Sequence, residues 1–230
     1  MTCSAWVAWE SYIAQTTCSA ILARLQALHD AGFVHGDVKA SNVKVAERDG
    51  LDSVKLIDLG LARALDDPEH DAECVTSGTP EYMAPEVIRG EGALPAADIY
   101  ATGVILYELL TGTTPFEGGT SYDIMIRHLD DEVVPPSIRC PNRSIPPAFE
   151  RAVMIALEKD PTARRTTAAA FATAIVAATP MIEPPVSCGG ESLVFSSTMP
   201  TADWHLPATS LPMSSRARYS ASLAEEYLLT

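Results

Sequence analysis

The chain has little basic charge, no paired cysteines and no long apolar run, and each shortage removes a class of function. Its 16 lysines and arginines stand against 30 aspartates and glutamates, a net charge of −14 over 230 residues. Such a surface opposes condensation onto phosphate backbones and anionic membranes, so nucleic acid is not an expected partner. The five cysteines, Cys3, Cys18, Cys74, Cys140 and Cys188, lie far apart, are odd in number and form no C-x-x-C pair. Neither a disulfide framework nor a zinc site is indicated, and a reducing, cytoplasmic compartment fits. The opening MTCSAWVAWE has no basic segment ahead of an apolar run and does not read as a signal peptide. The longest uncharged stretch, 166–182, is interrupted by threonines and by Pro180, which suits a core-facing helix better than a membrane span. No membrane segment is expected in this chain.

What is present is enough apolar content, 47%, for one sizeable core. Ile13, Ile21, Leu22, Leu25 and Leu28 recur at helical spacing and end at DAGF, 30–33, so a helix is predicted over Ile13–His29. NVKVA and SVKLI alternate as strands do, with RDG at 48–50 between them, which predicts a small hairpin. The stretch 63–80 has no apolar period and reads as a long surface loop. Helices are predicted over 96–112, capped by Gly112, and at roughly 121–130, 147–158 and 166–178. From Pro180 the composition turns to Pro, Ser, Thr and Met without period, as in a flexible tail, with SASLAEEYLL a short amphipathic element within it. No internal repeat is found.

Chemistry concentrates in HGDVKASNVKV, 35–45, and VKLIDLGLA, 54–62. Transfer of a phosphoryl group from ATP needs a carboxylate to orient the attacking hydroxyl, a cation near the moving group and oxygen ligands for Mg²⁺. Asp37, Lys39, Asn42 and Asp58 are side chains of those types. A hairpin whose strands carry Asn42 at one end and Asp58 at the other would bring the two segments together.

At these residues the chain resembles the C-terminal lobe of eukaryotic-like serine/threonine protein kinases, the type widespread in bacteria. HGDVKASN stands for H-R-D-L-K-x-x-N, DLG for D-F-G, and GTPEYMAPE, 78–86, contains the A-P-E. The resemblance runs from about Ile13 to Ala178. It implies Asp37 as catalytic base, Lys39 as phosphate contact, Asn42 and Asp58 as Mg²⁺ ligands, and His35 as a packing and hydrogen-bonding support. It further implies Thr79 bonded toward Asp37 and Lys39, Glu86 paired with Arg164 or Arg165, and Asp98 accepting backbone amides of the catalytic loop. The plainer readings are a turn residue at Thr79 and a helix N-terminal charge at Asp98. ATP, Mg²⁺ and a protein substrate bearing Ser or Thr follow from the same resemblance.

Departures bear on function. Gly36 stands where many kinases have the arginine that binds an activation-loop phosphate, which weakens the case for switching at Thr76 or Ser77. Ala40 and Leu59 replace a common Pro and Phe with residues of similar small or apolar character. No G-x-G-x-x-G or V-A-I-K-like stretch occurs in Met1–Tyr12. The expected fold is therefore mainly α, a kinase-like C-lobe with a small β-hairpin and without an N-lobe. It comprises a divergent or truncated segment at 1–12, the lobe at 13–178 and the tail at 179–230. Two alternatives stand beside the kinase reading: a non-catalytic kinase-like interaction module, and a small-molecule kinase of related fold that also writes its loop HGD. Lys39 and GTPEYMAPE speak against the latter.

Overall fold

The computed structural model describes residues 3–48, 51–58, 62–65, 78–92, 94–164 and 167–178, with side chains from Ala14 onward except in 45–48 and 51–53. Leu59 and Gly60 of DLG, Thr76, Ser77, Arg165 and the whole stretch 179–230 lie outside the described residues.

The first helix, α1, runs Cys3–Asp30. It thus starts ten residues ahead of the predicted Ile13; the reason is local, since no Pro or Gly occurs before Gly32 to stop the helix. Gly32, at φ 80°, ends it in the left-handed conformation that glycine adopts without strain. A short strand follows, β1 (Phe33–Val34), then a 3-10 turn at Ala40–Asn42 and the hairpin β2 (Val43–Arg48) and β3 (Leu51–Leu56). The hairpin is antiparallel, with Val43 opposite Leu56 and Arg48 opposite Leu51, a register that leaves two connecting residues. A second small sheet pairs β1 with β4 (Arg63–Ala64), Phe33 opposite Ala64 and Val34 opposite Arg63. The stretch read as a loop from 63 therefore opens as a strand. Two residues show no period, so only the partner strand reveals them.

The rest is helical: α2 (Pro85–Ile88), α3 (Pro95–Thr111), α4 (Ser121–Asp130), α5 (Pro136–Arg139), α6 (Pro147–Ala156) and α7 (Ala168–Ala178). α3 is the hub. Most of its residues from Ala97 to Leu110 are buried, among them Tyr100, Val104, Leu106 and Tyr107, and they share one apolar core with Ile21, Leu22 and Leu25 of α1, Phe149 and Val153 of α6 and Phe171 of α7. Gly112 caps α3 at φ 84°, and Thr120 with Asp123 forms a reciprocal capping box at the start of α4. Where α3 crosses α6, Gly103 has no room for a side chain: a Cβ there would lie 2.9 Å from the Cβ of Ala156. No helix of the described residues is long and apolar enough to cross a membrane.

Candidate active site

The loop between β1 and β2 is held from below. Asp98, in the first turn of α3 and only 1% exposed, accepts the backbone amides of His35 at 2.9 Å and Gly36 at 3.0 Å. His29, in the last turn of α1, meets the same carboxylate at 2.9 Å. Two helix ends thereby converge under one loop. Gly36 sits at φ 75°, a left-handed backbone that a larger residue adopts only with strain, and this is the position at which the family pattern has an arginine.

His35 is fully buried beneath the loop, and its Nδ1 accepts the amide of Asp37 at 3.3 Å. Burial lowers its pKa, against the pull of the Asp98, Asp37 and Asp58 carboxylates and of the Ile57 backbone. Its Nε2 makes no formed hydrogen bond, so the Ile57 backbone contributes as a nearby dipole and not as a closed partner. The imidazole is therefore neutral at pH 7, a packing support with one nitrogen committed to the loop.

Above it, Asp37 is the convergence point. Its Oδ2 accepts Lys39 Nζ at 2.6 Å, while Asn42 Nδ2 donates to its backbone carbonyl at 2.9 Å and reaches Oδ2 at 3.3 Å. Asn42 is buried and its own carbonyl accepts the Ile57 amide at 2.8 Å, which ties the end of the hairpin to the loop. Asp58 follows directly, exposed, at φ 65°, the one non-glycine left-handed residue among those described. Such backbone positions are uncommon outside glycine and gather at functional sites. Asp37, Lys39 and Asn42 are thus joined by direct contacts, and Asp58 is the residue after Ile57, whose amide bonds Asn42.

The facing wall is the segment from Gly78 to Val87. Asp37, Gly78, Thr79, Tyr82 and Met83 line one open cleft. No hydrogen bond joins the Thr79 hydroxyl to Asp37 or Lys39 among the described residues; Thr79 contributes its backbone carbonyl to the amide of Tyr82 at 3.0 Å. Glu86 and Arg164 form a bidentate pair, 2.6 Å at each contact and each 1% exposed, and the guanidinium also reaches the carbonyls of Ala96 and Glu158 at 2.8 and 2.9 Å.

Three partners were not foreseen from sequence. They are His29 on Asp98, Tyr82, whose hydroxyl donates to Glu108 at 2.7 Å, and His128, whose ring lies buried between Tyr100 and the Glu81 carbonyl. The signal for His128 was available: it stands four residues after Ile124 on the apolar face of α4, where a buried imidazole needs two polar partners.

A helical body thus holds an aspartate, a lysine and an asparagine in one short loop, next to the hairpin end that carries a further aspartate. Comparison with known proteins identifies the family. The chain belongs to the Protein kinase domain family, whose profile matches residues 4–176. It is 41% identical over 159 residues to serine/threonine-protein kinase pkn3 of Myxococcus xanthus, covering 66% of this chain and 29% of that protein. It is 39% identical over 151 residues to serine/threonine-protein kinase PknL of Mycobacterium tuberculosis, with 66% and 37% covered. It is 35% identical over 176 residues to the probable serine/threonine-protein kinase PknB of Lactococcus lactis, with 76% and 27% covered. The matched region thus spans about a third of the length of these relatives.

Proposed function

We propose that residues 13–178 are the catalytic C-terminal lobe of a serine/threonine protein kinase, which transfers the γ-phosphoryl group of ATP to a hydroxyl of a protein substrate. The observation that carries this is the Asp37 carboxylate, fixed by Lys39 and Asn42 at the mouth of the cleft that Thr79 also lines. A carboxylate oriented in that way takes the proton of an incoming Ser or Thr hydroxyl, and Lys39 offsets charge that develops on the transferred group.

The donor set fits Mg²⁺. Asn42 spends its amide N–H on Asp37 and leaves its side-chain oxygen free of that bond, and Asp58 adds a carboxylate at the hairpin end. Two oxygen-bearing side chains suit an ion whose remaining ligands are nucleotide phosphates and water. When bound, the ion neutralises phosphate charge, and the residues that would hold it are Asn42 and Asp58. His35, Asp98 and the Glu86–Arg164 pair act on the geometry of the loop and of the facing wall. Thr79 serves as a positioning side chain for the acceptor.

The test is transfer of labelled phosphate to a pool of Ser/Thr peptides by the protein expressed from its locus with any in-frame sequence ahead of Met1. Asp37→Asn is expected to lower turnover by roughly 10²-fold or more with nucleotide binding retained. Turnover undiminished in that variant would refute the role of Asp37. A wild-type protein without transfer activity, yet able to bind partners, would favour the non-catalytic interaction module.

A further inference from the structure

We propose that His128 is a positioning residue that anchors the cleft wall at residues 79–83 through the carbonyl of Glu81. The link to substrate rests on the reading of that wall as the acceptor-facing side of a kinase cleft.

The ring is 0% exposed, and both of its nitrogens are spoken for. Nε2 lies 3.1 Å from the Glu81 carbonyl oxygen, and Nδ1 lies 2.7 Å from the Tyr100 hydroxyl. A carbonyl can only accept, so the proton resides on Nε2, and Nδ1 accepts from Tyr100. One tautomer is selected by two partners on different elements: α3 supplies Tyr100 and the 3-10 turn Pro80–Tyr82 supplies Glu81. Phe116 packs edge-on against the ring with centroids 4.9 Å apart, and Lys159 holds the backbone carbonyl of His128 itself at 2.7 Å. The imidazole therefore has no rotational freedom.

A buried histidine with satisfied partners is most often plain core. What sets this one apart is its target. Glu81 lies between Thr79 and Tyr82, which line the cleft with Asp37, in a turn with no regular sheet or long helix to stiffen it. The other end of the same wall is held at Glu86 by Arg164, whose guanidinium lies 4.9 Å over the Tyr100 ring. Tyr100 thus touches both anchors. The wall is clamped at two points by one buried cluster, and His128 is the clamp nearer the cleft.

Two variants and a spectrum test this in the full chain. His128→Phe keeps a planar ring and removes both hydrogen bonds; His128→Gln keeps an N–H donor for the Glu81 carbonyl. Amide hydrogen exchange at Tyr82 and Met83 is expected to quicken about three- to tenfold in His128→Phe and to return to within about twofold of wild type in His128→Gln. Protection at Leu106, deep in α3, should be unchanged. Unaltered exchange at Tyr82 and Met83, or equal loosening at Leu106, overturns the anchor. In ¹⁵N spectra of the wild type at pH 7, His128 should show the Nε2–H tautomer alone, and an Nδ1–H form or an imidazolium would also overturn it. Acceptor binding is read separately as anisotropy of fluorescent Ser/Thr peptides, with a fall expected in His128→Phe and recovery in His128→Gln. Faster exchange with unchanged peptide binding would overturn the acceptor reading of the wall and leave the anchor standing.

Discussion

At the scale of single residues, two side chains carry the sharpest expectations. Glu86 and Arg164 are each 1% exposed and joined by two short contacts, so Glu86→Ala leaves a guanidinium buried without its counter-charge. Urea unfolding should show a loss of about 3–5 kcal/mol, well beyond the worth of a surface pair. Asp58 is held at φ 65°, a conformation that asparagine shares at little cost. Asp58→Asn should therefore keep the backbone and remove the carboxylate, and Mg²⁺-dependent nucleotide binding by the active form should fall, as read by calorimetry with and without chelator. The residues brought together in the loop were legible in sequence because Asp37, Lys39 and Asn42 are neighbours along the chain, and a tight loop can only converge them. Glu86 and Arg164 lie 78 positions apart, so only the resemblance to kinases suggested their pairing, with Arg165 left open.

At the scale of elements, the crossing of α3 and α6 is set by a missing side chain. Gly103→Ala adds a Cβ that meets Ala156 at 2.9 Å, between two helices that cannot give way cheaply. The overpacking cost of about 1–3 kcal/mol opposes a gain of about 1 kcal/mol in helix propensity, so the variant should be destabilised by up to about 2 kcal/mol in denaturant unfolding. The helix α4 brings a pH dependence through His128, whose pKa burial lowers from 6.5 to about 4, with Lys159 adding to the fall. Between those values the unfolded chain binds a proton that the native imidazole refuses, so stability is present above pH 6.5 and is lost as pH falls toward 4. His35 shifts in the same direction. Urea titrations from pH 7 to pH 4.5 should show a decline of roughly 2–3 kcal/mol from His128, and His128→Phe should flatten it. The long helices announced themselves by period and caps. The one-turn helices α2 and α5 and the two-residue strands β1 and β4 are too short to show a period, and they exist because a partner segment completes them.

At the scale of the whole molecule, a helical body of the Protein kinase domain family, in a chain of net charge −14, carries Asp37, Lys39, Asn42 and Asp58. No Gly-rich loop or V-A-I-K-like stretch occurs in Met1–Tyr12, so calorimetry on the 230-residue polypeptide should give weak or undetectable Mg·ATP binding. A micromolar affinity would show that the residues present suffice as a nucleotide site. Local spacing settled the longer helices, the presence of the hairpin and the nearness of Asp37, Lys39 and Asn42, because each depends on residues within a few turns of one another and on backbone rules that act at short range. Packing settled what no local rule reaches: that His29 and Asp98 meet under the loop, and that His128 grips Glu81 from another helix. Those contacts join residues between 47 and 69 positions apart, and a buried polar group finds its partner only once the apolar core has drawn the helices together.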